Sequence, residues 1–109
     1  MAIQHKNLAQ ERWQKFSLAE QFGNIGSETS HALQWRGKDD ALYRGAFQRA
    51  FELIDNTLMD ARWRGRLKEI ARLREMLADA MFGGFVYGSR LEDIDRYLFQ
   101  FAYAARKSR

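Results

Sequence analysis

Leu67-Lys68-Glu69-Ile70-Ala71-Arg72-Leu73-Arg74-Glu75-Met76-Leu77-Ala78-Asp79-Ala80-Met81-Phe82-Gly83-Gly84 is the stretch that decides the fold class of this chain. Leu67, Ile70, Ala71, Leu73, Leu77, Ala78 and Met81 recur at helical spacing, not at the alternation of a strand. The predicted helix covers about residues 64–82, and Gly83-Gly84 ends it, since glycine readily takes the left-handed backbone that closes a helix. Arg74 breaks the pattern. At about 100° per residue it falls inside the apolar arc, between Leu67, Ile70, Leu77 and Ala78. A bare buried charge is very costly, so Arg74 calls for an acidic partner or a ligand, unless its long stem carries the guanidinium to the helix edge.

The same period extends in both directions from this helix. Upstream, Tyr43, Ala46, Phe47, Ala50, Leu53, Ile54, Thr57 and Leu58 mark a helix over about residues 40–60, with Asp39 or Asp40 as its cap. Before it, Ser17-Leu18-Ala19-Glu20 reads as a capping box that opens a helix ending near Gly37. Leu18, Phe22, Ile25, Thr29, Ala32 and Leu33 form its inner stripe. Gly23 and Gly26 interrupt that stripe at about 1 kcal/mol each relative to alanine, which suggests close approach of a neighbour. Residues 6–16 read as a helical arm that Leu8, Trp13 and Phe16 could pin to the core. Downstream, the linker 83–88 carries Phe85, Val86 and Tyr87 and is expected to pack down. Ser89-Arg90-Leu91-Glu92 reads as a second capping box, followed by Leu91, Ile94, Leu98, Phe101, Ala102 and Ala105 as the inner face of a last helix. Four amphipathic helices with short joins predict one all-α domain over residues 1–109: an arm at 1–16 and an antiparallel four-helix bundle at 17–109.

Composition fits that picture. Of 109 residues, 46% are apolar, enough for a real core without staples. There is no cysteine, so disulfides, thiolate metal sites and cysteine catalysis are excluded, and a cytosolic protein is expected. No apolar run approaches the roughly 20 residues of a membrane helix, so no membrane partner is expected. The net charge is +4, and 13 of the 18 basic residues are arginine, which allows anionic partners without demanding them.

Four groups of residues are candidates for function. Gln21, Asn24, Glu28 and Trp35 run along one side of the first helix, where they read as a groove wall or as a solvated boundary stripe. Glu28 is the expected partner of Arg74, and together these residues would line a ligand pocket. Arg62, Trp63, Arg64, Lys68 and Arg72 belong to a run with six basic residues and one acid. That run could bind phosphates with Trp63 stacking on a base, or it could be an ordinary charged helix face. Phe99 and Tyr103, with Tyr97, widen the aromatic surface of the last helix beyond its inner arc. They suggest an interface in a homodimer or with a partner protein, unless the arm covers them. Glu28-Thr29-Ser30-His31 has the Glu-x-x-His spacing of di-iron bundles. No second such pair exists, and His31 points off the apolar stripe, so no metal and no cofactor are expected. No catalytic motif is present, and Gly83-Gly84 with Gly88 is too irregular for a phosphate cradle.

Ala46-Phe47-Gln48-Arg49-Ala50-Phe51-Glu52-Leu53-Ile54 resembles the second helix of HEPN-type bundles, among them the partners of minimal nucleotidyltransferases. Nuclease members of that family have an arginine followed four to six residues later by histidine. No arginine here has that spacing, so the resemblance implies a helical bundle and not RNase activity. Asn24 to Glu28, Arg72-Leu73-Arg74-Glu75 and the closing Phe101 to Arg106 are also similar to small uncharacterised prokaryotic helical proteins, a likeness that implies no function. A non-enzymatic binding or interaction module is the expectation, with an RNA- or nucleotide-binding protein and a small-ligand binder or enzyme as alternatives.

Overall fold

Ser17 opens the first long helix as its sequence predicts. In the computed structural model, which describes residues 10–107, the Ser17 hydroxyl accepts the Glu20 amide at 3.1 Å and the Glu20 carboxylate accepts the Ser17 amide at 3.0 Å. Helix α1 then runs over Leu18–Trp35. Asp39 caps α2 (Asp40–Leu58) by accepting the Leu42 amide at 3.1 Å. Helix α3 covers Leu67–Met81 and α4 covers Leu91–Lys107. No strand occurs among the described residues, so the chain is all-helical there.

Two local expectations fail. The third helix was expected to begin near residue 64, but Ala61–Arg66 winds as a 3-10 helix with Trp63 off helical geometry. Asp60 is the cause: its carboxylate draws in both the backbone amide and the guanidinium of Arg62. The second capping box does not form. Ser89 sends its amide to Asp79 at 3.1 Å while its hydroxyl caps nothing, and Glu92 turns to Arg36 at 2.9 Å.

Helix α1 is the hub. It packs extensively on α2 and on α4, whereas α3 touches α2 and α4 more sparsely. Along α1 and α4, Arg36 meets Glu92, Thr29 meets Asp95 and Gly23 meets Ala102, so the two helices run in opposite senses. The glycines of α1 serve this contact. A Cβ on Gly23 would lie 3.0 Å from the Ala102 Cα, and one on Gly26 would lie 3.0 Å from the Leu98 Cβ. Phe22, Ile25, Phe47, Ile54, Ile70, Leu77 and Leu98 are fully enclosed between the helices. Of the N-terminal arm, residues 10–13 are helical and Trp13 is buried, its indole donating to the Thr57 hydroxyl at 2.9 Å. Leu8 lies outside the described residues, and Phe16 rests edge-on against Trp13 while staying partly exposed.

Candidate functional site

Arg74 does not meet Glu28. Its Nε donates to Asp55 Oδ1 at 2.7 Å, and its guanidinium lies 5.1 Å above the Phe51 ring. The side chains of Arg74 and Asp55 are 43% and 49% exposed, so this is a surface pair. The arginine stem crosses the apolar arc and delivers the charge to its edge, which the angular position of the Cα alone does not reveal. Glu28 instead takes Arg49, at 3.1 and 3.2 Å, with His31 at 3.2 Å. No group of three or more metal-type side chains occurs among the described residues. His5 lies outside them.

The remaining members of the α1 side also disperse. Gln21 is fully buried, and its amide is consumed structurally: it donates to the Trp13 carbonyl at 2.9 Å and to Asp60 at 3.1 Å, and accepts the Trp63 indole at 3.0 Å. Asn24 is exposed and bonds back to the Glu20 carbonyl, and Trp35 is half-buried near the end of the helix. The expected groove wall is thus a buried strut at Gln21, an exposed Asn24, a Glu28 largely covered beside Arg49 and a half-buried Trp35. Arg62 and Trp63 are drawn into the same strut. Arg62 clamps Asp60 at 2.7 Å and the Phe16 carbonyl at 2.7 Å, and its guanidinium stacks 4.5 Å over Trp63. The Asp60 carboxyl is held below the usual range, by Arg62 first and against the effect of burial. Arg64 and Lys68 remain exposed, with no ion pair among the described residues, and Arg72 leans over the Tyr87 ring at 5.9 Å.

The most organised surface feature is the connection between α3 and α4. The Asp79 carboxylate accepts the backbone amides of Val86 (2.9 Å), Tyr87 (3.0 Å) and Ser89 (3.1 Å). Burial pushes this carboxyl up, but the three amides together outweigh it and its pKa ends below the ordinary value. Gly84 makes the turn possible. It has φ 77°, and a Cβ there would sit 2.7 Å from the Ser89 carbonyl oxygen. The amides that follow Gly83-Gly84 are thus taken up by the chain's own aspartate. The backbone is pinned, yet its apolar side chains face out: Phe82, Phe85, Val86 and Tyr87 are 73%, 91%, 75% and 53% exposed. The linker is packed down through its amides and not, as expected, through its aromatics.

Beside this loop, sparse contact between α3 and α4 leaves a cleft of about 420 Å³. Leu73, Met76, Ile94 and the Tyr97 ring give it apolar walls, and Glu69, Arg72, Arg90 and Asp93 contribute charge. Tyr97 donates its hydroxyl to Glu69 at 3.0 Å; burial, and then this bond, raises its pKa to about 12. Tyr97 is also edge-on to Phe101, so it is tied to the core more than Phe99 and Tyr103, which stay exposed on the flank of α4. Phe99 borders a smaller cleft of about 250 Å³ between α1 and α4. Asp79, Arg90 and Met76 escaped sequence reasoning as site residues, while Leu73 and Ile94 were expected only as core and Tyr97 as part of an interface. The one legible signal was an acid at a helix end followed by three glycines. No helix among the described residues is long and apolar enough to cross a membrane. No family model, curated protein or solved structure matches this chain.

Proposed function

We propose that this chain is a non-enzymatic interaction module, an antiparallel four-helix bundle that self-associates through the 82–87 loop. One observation carries the proposal: a backbone pinned by Asp79 presents four large apolar side chains to solvent. Exposed apolar patches on a rigid support mark interfaces, because little ordering entropy is lost when they are covered. The occupant is a second copy of this chain. Residues 82–87 carry no charged side chain, so the tip meets no like charge when a copy related by a two-fold axis brings the same apolar tip against it. A cytosolic location belongs to the same reading, as does kinship with HEPN-type bundles through residues 46–54, of which Ala46, Phe47, Ala50 and Ile54 are buried core positions.

Sedimentation at micromolar concentration tests it. The parent should run at twice 12.8 kDa, and Phe85→Ser with Val86→Ser should run as a monomer of unchanged helicity. Phe99→Ser with Tyr103→Ser should remain dimeric. If this second variant alone dissociates, the interface lies on the α4 flank; a parent that is monomeric throughout overturns self-association.

A second reading has its own support. Arg64, in the 3-10 segment, and Lys68, on α3, stand free of ion pairs among the described residues, with Arg72 one helical turn beyond Lys68. Nucleic acid held there should bind with an affinity that falls steeply as salt rises, because each neutralised phosphate releases counterions. Replacing the three with alanine should flatten that slope, and no binding of RNA or DNA at low salt removes this reading.

A further inference from the structure

The geometry points to a binding site in the α3–α4 cleft for a small apolar carboxylic acid, a compact aliphatic or aromatic body bearing one carboxylate. Size comes first. At about 420 Å³ the cleft falls in the range of small-molecule pockets, about 300–1,000 Å³. Two helices and the Asp79-pinned loop wall it on three sides, which suits a compact ligand better than an extended peptide. Leu73, Met76, Ile94 and the Tyr97 ring supply the apolar contact. The Tyr97 hydroxyl is already committed to Glu69, so this residue offers its ring.

The charge balance selects the head group. Both acids at the cleft have cations of their own that lie outside it: Glu69 holds Arg66 at 2.8 Å, and Asp93 meets Arg96 at 3.5 Å. The two cleft arginines are not satisfied in return. Arg72 makes no ion pair among the described residues, only its contact with the Tyr87 ring. Arg90 lies 3.7 Å from Glu92, but that carboxylate is already gripped by Arg36 through two hydrogen bonds of 2.9 and 3.2 Å. The grip holds the Glu92 carboxyl down to about 2. Glu69, which also accepts the Tyr97 hydroxyl, is filled, while Asp93 meets its arginine through one oxygen, so the cleft carries two arginines with capacity to spare against one such acid. A guanidinium binds a carboxylate through paired parallel hydrogen bonds, so an anionic head beside an apolar body is the complementary ligand. An amine finds only Asp93, with both arginines repelling it, and an alcohol leaves both guanidinium groups unanswered.

Calorimetric titration of the full chain with decanoate, 1-decanol and decylamine tests the site. Decanoate should bind at one site per chain, about tenfold more tightly than decanol, with decylamine weakest. Arg72→Gln and Arg90→Gln should each weaken decanoate by about tenfold and leave decanol unchanged, because both side chains are exposed and neither supports the fold. Met76→Trp, which fills the cleft, should abolish binding of both, with helicity checked by circular dichroism. Equal affinity for decanoate and decanol, unchanged decanoate binding in the double arginine variant, or no binding at millimolar ligand each overturns the proposal. The same titration on Phe85→Ser with Val86→Ser separates this site from self-association: decanoate binding should survive there whether or not the parent is a dimer.

Discussion

Arg74 and Gln21 show how far a position on a helical wheel predicts the fate of a side chain. Both fall on or beside an apolar arc, yet the arginine reaches solvent and the glutamine is sealed inside. The difference is length. A guanidinium on its long stem can leave the core, while a side-chain amide next to the backbone must find its partners where it stands. Gln21 finds three, in Trp13, Asp60 and Trp63. Gln21→Leu should therefore lower unfolding free energy by about 2–3 kcal/mol in urea denaturation, because the buried groups it served lose their partner. Arg74→Leu and Asp55→Asn should each cost only about 0.2–1 kcal/mol, with a coupling of the same size in the double-mutant cycle, as expected for a solvent-screened pair. A coupling of several kcal/mol would show that the pair is desolvated in solution. Nothing local in the sequence ties residue 74 to Asp55 over Glu28, since partner choice depends on how α3 sits against α2.

At the scale of elements, two features turn on a few atoms. The first is the close crossing of α1 and α4 at Gly23. Alanine there would gain about 1 kcal/mol in helix propensity but place its Cβ 3.0 Å from the Ala102 backbone, which is not free to swing aside. We expect overpacking to win, so Gly23→Ala should lower the thermal midpoint, and a raised midpoint would mean that α4 shifts at little cost. The interruption of the helical pattern by glycine was legible in the sequence; the helix that exploits it was not. The second feature is the Asp79 loop. Its folded carboxyl pKa lies below the unfolded value of about 3.9, so its stabilisation is complete above that value and is lost as pH falls through the lower, folded pKa. The Val86 and Tyr87 amide resonances should follow that titration together, with a midpoint below about 3.9. Asp79→Asn should abolish the step and speed proteolysis between residues 82 and 90. A midpoint at or above the unfolded value would mean that the three amides do not dominate. Glycines and an acid were visible as turn chemistry, but the return of the carboxylate to amides seven to ten residues ahead is set by how the loop closes.

For the whole molecule, burial is unequally shared. Helix α1 lies between α2 and α4, while α3 keeps sparser contacts and borders the open cleft. Native-state hydrogen exchange should show α1 amides opening only with global unfolding and those of α3, with the loop beyond it, opening at lower free energy. Uniform protection across all four helices would refute that hierarchy. The sequence by itself determined the all-helical class, three of the four long helices nearly to their ends, the capping box at Ser17 and most of the core. These follow from periodicity and short-range hydrogen bonding, which act within a few residues. Tertiary structure alone decided the partners of Arg74, Glu28 and Gln21, the 3-10 start before α3, the failed capping box at Ser89 and the outward turn of Phe85 and Val86. Each of these depends on which groups distant in the chain arrive within hydrogen-bond reach, and Asp60, Asp79 and Arg36 won those contacts by being closer, in the folded molecule, than the neighbours the sequence offered.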